Sequence, residues 1–280
     1  MRLRLLLLLS LVGSAACAPA LSTFQPAHVP NAGHVQAELG TDISIPTGTI
    51  GDVVDAAIDL EEATRGRELT NEEEVALFDA GASLGVHAPS PVPHIGIAFA
   101  PLNQFEVGLR YSGSALRLGV RGQFLKEKEH GVDMSVGLGA SYFSYSFPVG
   151  NVLYVLEFED FKRLQFDLPI LFGKKRDWYR LWGGPKAMFT TFGTELVLNL
   201  PEIQGVREPK RELASFDGTA FYLGAQGGAA VGYKHVFFGF ELSMAYMAAS
   251  WDMVVLDEPV RSKKVNSLIV APGFALMAEF

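Results

Sequence analysis

The final stretch of the chain, residues 265–280, limits its fold more than any other feature. In VNSLIVAPGFALMAEF, Leu268, Val270, Pro272, Phe274, Leu276 and Ala278 occupy alternate positions, and the run stops on Phe280. Only a strand sends residues i, i+2 and i+4 to one face, because successive side chains point to opposite sides of an extended backbone. Pro272 has no N–H to give to a neighbouring strand, so a bulge or an interrupted pairing is expected there.

The same period recurs upstream. In 34–45, Val35, Ala37, Leu39, Thr41, Ile43 and Ile45 share one face, with Gln36, Glu38, Gly40, Asp42 and Ser44 on the other. Alternating segments follow at 94–100, 104–111, 115–125, 131–146, 162–172, 178–189, 219–233 and 236–249, so ten strands are expected in all. The connections at 101–103, 126–130, 174–177 and 234–235 are short. Longer ones follow strands one, five, seven and nine, including loops read at 190–217 and 252–262. Residues 47–92 do not alternate. Asp52 is placed to cap a helix running to about Thr64, and Thr70 with Glu73 forms a capping box for a second. Glu61, Glu62, Glu72, Glu73 and Glu74 give this helical insertion an acidic side, read as a solvated face or as a surface for a partner.

The amino terminus supplies a compartment. Arg2 and Arg4 precede an apolar run at 5–12 and small residues at 13–16, the pattern of a secretory signal peptide over residues 1–16. Residues 17–33, with Pro26, Pro30 and Asn31-Ala32-Gly33, read as a flexible leader. Cys17 directly follows Ser14-Ala15-Ala16 and resembles a lipoprotein box, which would lipidate it; ordinary cleavage near Ala16 or Ala18 with an incidental cysteine is the alternative. As the sole cysteine it allows no intrachain disulfide and no cysteine-based metal site. A formal net charge of −8 argues against nucleic acid as a partner. Beyond the signal peptide no run of about 20 apolar residues exists, so no helix is expected to cross a membrane.

With its signal peptide, ten alternating strands, short turns on one side and a closing strand that ends on Phe280, the chain resembles the small bacterial outer-membrane β-barrels. The resemblance implies an all-β fold: a closed antiparallel transmembrane β-barrel over residues 34–280, with the helical insertion in the first outer loop. It implies outer-membrane localisation with both termini periplasmic, and outer-membrane lipid and the barrel assembly machinery as partners. Phe274, Leu276, Ala278 and Phe280 would be the assembly signal. A soluble β-barrel or sandwich is the alternative, since alternation alone does not say which face meets solvent.

Residue identity separates the two faces. One carries Phe105, Val107, Leu109 and Tyr111, then Leu164, Phe166, Leu168, Ile170 and Phe172, then Phe238, Phe240, Leu242 and Met244. The other is crowded with Gly, Ala and Ser, interrupted by charges, and suits a packed interior. The inward charges are then Glu38, Asp42, Glu106, Asp133, Asp167 and Glu241 against Arg110, Arg117, Arg121, Arg180 and Lys186. Confined charges must be paired or wetted, so a cross-lumen ion-pair network is expected. The network reads either as a plugged, rigid interior or as a narrow polar pore whose constriction is set by Arg110, Arg117 and Arg121. Tyr142, Phe143, Tyr145, Phe147, Trp178, Tyr179 and Trp251 lie near strand ends and suit aromatic girdles.

No HExxH run is present, and neither a cofactor, a metal site nor enzyme activity is expected. The functional expectation is a porin-like or structural outer-membrane barrel with a narrow, charge-paired lumen. One alternative is a docking component of a cell-envelope assembly, using the insertion, the 190–217 loop and other envelope proteins. A rim-site hydrolase, with His87 beside Asp79 and Asp252 or Asp257, is the remaining one.

Overall fold

Alternation along the chain becomes ten antiparallel strands in the computed structural model: β1 Val35–Pro46, β2 Ser90–Leu102, β3 Phe105–Ser112, β4 Ala115–Leu125, β5 Asp133–Phe147, β6 Leu156–Lys175, β7 Tyr179–Leu200, β8 Lys210–Tyr233, β9 Val236–Val255 and β10 Glu258–Glu279. The structure describes residues 19–48, 78–79, 82–83, 86–87, 89–113, 115–147, 156–200, 210–255 and 258–280. Each strand pairs with its neighbours in sequence, and β1 pairs with β10 from Gln36↔Glu279 to Pro46↔Ile269, so the sheet closes into a barrel. The seam is sealed by the Val35 N–H donating to the Phe280 carbonyl at 2.8 Å and the Phe280 N–H donating to the Val35 carbonyl at 2.9 Å. Closure removes the sheet edges that a sandwich would leave.

Pro272 behaves as its chemistry requires. On the β9 side it stays in register opposite Leu242. On the β1 side the ladder runs to Asp42↔Gly273 and resumes at Ile45↔Val270, skipping Ala271 and Pro272 without a register shift. The missing donor produces an interruption and no bulge.

The expected loops at 190–217 and 252–262 are corrected. Most of their residues extend strands: β7 and β8 pair out to Leu200↔Lys210, and β9 and β10 out to Val255↔Glu258. Sequence alternation fades there because the outward residues become polar, with Lys162, Glu195, Asp217, Asp252 and Lys264 all exposed. Backbone pairing does not depend on side-chain polarity, so the wall continues past the point where the apolar signal stops.

Outside, the barrel carries an apolar band. On β9, Val236, Phe238, Phe240, Leu242, Met244 and Tyr246 all face outward and are exposed. From Val236 to Tyr246 there are ten steps of about 3.4 Å, and at a tilt near 40° they span about 26 Å. Neighbouring strands continue the band with Leu164, Phe166 and Leu168 on β6, Phe189 on β7, Phe221 and Leu223 on β8, and Leu268, Phe274 and Leu276 on β10. Trp178 and Tyr142 lie outward at its margins, as expected for girdles. Trp251 and Phe143 are corrected: both are buried and point inward.

Glycines let neighbouring strands approach closely, and Gly224 is the tightest case. A Cβ on Gly224 would sit 1.9 Å from the Met244 carbonyl oxygen and 2.6 Å from the Ala245 Cα, so β8 and β9 approach there to a distance that only glycine permits.

Candidate functional site: a lumen filled by the chain itself

The residues read as a flexible leader are the centre of the site. Residues 19–30 run inside the barrel, and Leu21, Ser22, Thr23, Phe24, Ala27, His28 and Val29 are all buried. The chain leaves the lumen at an exposed turn, Asn31-Ala32-Gly33, where Gly33 takes φ +88° and donates its N–H to the Ala100 carbonyl, before β1 begins. At its other end Pro19 lines a cavity with Ser112, Ala115 and Arg163, on the long-loop side of the barrel. Residues 19–30 therefore lie within the barrel, which corrects the expectation that this stretch is a flexible leader. No periodicity betrays such a segment, because its surroundings come from all sides of the barrel and not from one face.

Lumen side chains hold this segment mainly by its backbone. The Glu241 carboxylate accepts the Thr23 N–H at 2.8 Å on one oxygen and the Phe24 N–H at 3.0 Å on the other. Phe24 itself adopts φ +47°, a left-handed value that a bulky residue takes only when its surroundings enforce it. The Trp182 Nε1–H donates to the same carboxylate at 2.8 Å and fixes its orientation. Lys186 donates to the Leu21 carbonyl at 2.5 Å, Arg110 to the Ser22 carbonyl at 2.7 Å, and Arg121 to the Pro26 carbonyl. Gln123 accepts the Val29 N–H at 2.8 Å. The Ser22 hydroxyl donates to Asp42, and Gln226 donates to the Thr23 hydroxyl.

Phe24 is the apolar anchor of the segment, and only 1% of its surface is exposed. Its ring lies 5.2 Å from the His94 ring centroid, and two of its carbons fill the space that a Cβ on Gly273 would take at 3.0 Å. Around it, Ala27, Leu171, Trp182, Ala230, Phe237, Ala275 and Met277 complete a small apolar cluster.

Most of the charges expected in the lumen form local pairs. Arg117 grips Asp167 through two hydrogen bonds of 2.8 Å. That grip needs Gly139, since a Cβ there would fall 2.4 Å from both partners. Arg121 pairs with Glu106 at 2.8 Å, directly opposite it on the neighbouring strand. Arg110 lies 3.2 Å from Glu38 and 3.7 Å from Asp42. Arg180 pairs with Glu279 at 2.6 Å and lies over the Phe237 ring at 3.9 Å. Asp133 is corrected: it serves the turn after β4, accepting from Gln123 and from the Glu127 N–H, each at 2.8 Å. Arg110, Arg117 and Arg121 are each occupied by a carboxylate, and Arg110 and Arg121 also by the inner segment.

Sequence reasoning missed Glu279, which collects His28, Lys175 and Arg180 at one end of the lumen, and Arg163, buried over the Phe143 ring at 4.9 Å. Both signals were available. Arg163 has the inward parity of Asp167, and Glu279 that of Ala275 and Met277.

Nearer the long loops the interior turns apolar. Phe143, Phe161, Phe192, Phe216, Met247, Trp251, Met253, Val265 and Ile269 form one buried cluster with Phe78, Ala82 and Val86 of the insertion. The described part of the insertion therefore enters the barrel mouth, where Asp79 pairs with Lys263 at 3.3 Å and His87 bonds Ser44 at 2.5 Å. Its acidic stretch lies outside the described residues. Among the described residues His87 and Asp79 face inward while Asp252 is exposed and bonds Ser262, so Asp252 does not join them; Asp257 lies outside the described residues. Two cavities of about 30 and 20 Å³ flank the inner segment, each with room for one or two waters. An eight-stranded barrel can be filled by its own side chains; ten strands enclose more, and here two pieces of the same chain take up the difference. At the seam, Phe274 and Leu276 face outward with the band, Ala278 is half-buried beside them, and Phe280 stacks on His235 at 5.4 Å. Cys17 lies outside the described residues.

No protein-family model and no curated protein matches the chain. Among solved structures it is similar to a major outer membrane protein from Thermus thermophilus, at 8% identity and TM-score 0.34, over 88% of this chain and 99% of that one. It is also similar to Ail, the attachment invasion locus protein of Yersinia pestis, at 9% identity and TM-score 0.28, over 89% and 99%. A third is the N-terminal β-barrel domain of Pseudomonas aeruginosa OprF, at 8% identity and TM-score 0.20, over 89% and 99%. The barrel assignment rests on this chain's own strand pairing, not on these distant likenesses.

Proposed function

We propose that the protein is an integral outer-membrane barrel of the porin-like or structural kind, closed at rest by residues 19–30 and by the mouth segment around 78–87. The observation that carries this reading is the exposed apolar band of about 26 Å, close to the ~25 Å band of outer-membrane barrels and costly to leave in water. A soluble barrel would put Phe238, Phe240, Leu242 and Met244 against solvent with nothing to cover them. The filled interior supports a closed state. Purified barrel placed in a planar bilayer is expected to insert without steady conductance. In gels, unboiled protein is expected to migrate apart from boiled protein. A protein that stays soluble without detergent and shows one mobility would refute the membrane reading.

A docking role draws support from the uneven wall. Strands β6 to β10 have 20 to 24 residues, about twice the 9–11 that span a bilayer, while β3 has 8. The surplus forms a raised half-rim for an envelope partner. Loss of co-purifying envelope proteins on removing 201–209, with folding intact, is the test. Assembly through the Phe280-terminated strand and lipid attachment at Cys17 belong to the same reading. Intact mass of the membrane-extracted protein decides whether the lipid is there.

A further inference from the structure

We propose that the lumen is a binding site for an extended peptide in which an aromatic residue follows small hydroxyl residues, and that residues 19–30 are its resident, exchangeable occupant. This rests on the closed-lumen reading but concerns what the lumen recognises.

The chemistry of the contacts supports recognition of a peptide as such. Six backbone groups of the segment are taken by lumen side chains: the N–H groups of Thr23, Phe24 and Val29, and the carbonyls of Leu21, Ser22 and Pro26. Any peptide presents such groups. Sequence enters at a few places only. The socket beside Gly273 and His94 accepts a planar ring, and Asp42 and Gln226 ask for hydroxyls at the two preceding positions.

The segment is also separable from the wall. No strand of the barrel pairs with residues 19–30, and the barrel seam closes without them, through β1 and β10. Its link to β1 is the exposed turn at 31–33. Lumen partners such as Glu241, Arg110 and Arg121 are buried and have no other peptide to bind, so once vacated they would present an array of charges in fixed positions. A second peptide of the same kind satisfies that array, whereas a small ion satisfies one member of it.

The test keeps the full chain. A protease site inserted between Ala32 and Gly33 allows the folded barrel to be cut after assembly, so that the segment is held by non-covalent contacts alone. A fluorescently labelled synthetic peptide, PALSTFQPAHVP, is then added and its anisotropy followed, with unlabelled peptides as competitors. The labelled peptide is expected to enter and to be displaced by its unlabelled form and equally by a Gln25→Ala version, since Gln25 contributes none of these contacts. A peptide N-methylated at Phe24 loses the donor to Glu241 while keeping its ring, and is expected to compete about tenfold or more less well. A Phe24→Ala peptide is expected to fail over the same range. A cut barrel that neither releases its segment nor admits added peptide over days overturns the proposal, as does an N-methylated peptide that competes equally. Conductance of the uncut barrel in a planar bilayer reports separately on the closed-lumen reading, so the two can fail independently.

Discussion

Truncating Phe24 to Ala should loosen the inner segment without opening the barrel. The ring is 1% exposed and seated against His94, Met277 and the space beside Gly273. Replacing a buried Phe by Ala in a close-packed setting costs about 3–5 kcal/mol, from lost transfer energy plus the cavity left behind. Because residues 19–30 take part in no strand pairing, that loss falls on the equilibrium between docked and undocked segment. At about 1.4 kcal/mol per tenfold change, the undocked population should rise roughly a hundredfold to a few thousandfold. Hydrogen exchange resolves this directly, since the Thr23 and Phe24 amides are protected by Glu241 only while docked, and their exchange rate tracks the open population when opening is fast. Exchange at those two amides should accelerate by that factor, with the β8 and β9 ladder amides unchanged and the folded gel mobility retained. Equal acceleration along β8 and β9 would mean the segment is part of the barrel's own core, and no acceleration would mean the socket contributes nothing; either refutes the reasoning.

Three further outcomes are expected. Arg117→Met should destabilise by about 3–5 kcal/mol because it strands the buried Asp167 carboxylate, and adding Asp167→Leu should recover most of that loss; thermal unfolding of the two singles and the double measures the coupling. Gly224→Ala should abolish the folded gel species, because its Cβ meets the Met244 carbonyl and Ala245 backbone; the folded species surviving would remove the argument from close strand approach. Deleting Phe280 removes both seam hydrogen bonds to Val35 and the stack on His235, and should lower the folded fraction recovered from membranes, read on unboiled gels.

Strand number, strand phase and the outward face were legible in the sequence, because each follows from a period of two that persists residue by residue. Phe274 and Leu276 point outward and Asp167 and Glu241 inward for that reason alone. Strand length was not legible. At Lys162, Asp217 and Asp252 the outward residues turn polar as the wall leaves the apolar band, and the alternation disappears while the ladder continues. The inward charges were named from parity, but their partners were not, since Arg117 meets Asp167 across β5 and Arg180 on β7 meets Glu279 on β10, between strands that do not pair with each other. Residues 19–30 were read as a loose leader because Pro26 and Pro30 forbid regular structure, and that inference holds locally. What overrides it is a lumen of fixed carboxylates and guanidinium groups that satisfies an irregular backbone from several strands at once. Local periodicity determined the wall; only the closed barrel decided what fills it, because hydrogen bonds from Glu241, Arg110, Arg121 and Gln123 converge on one segment only after the sheet has curled shut.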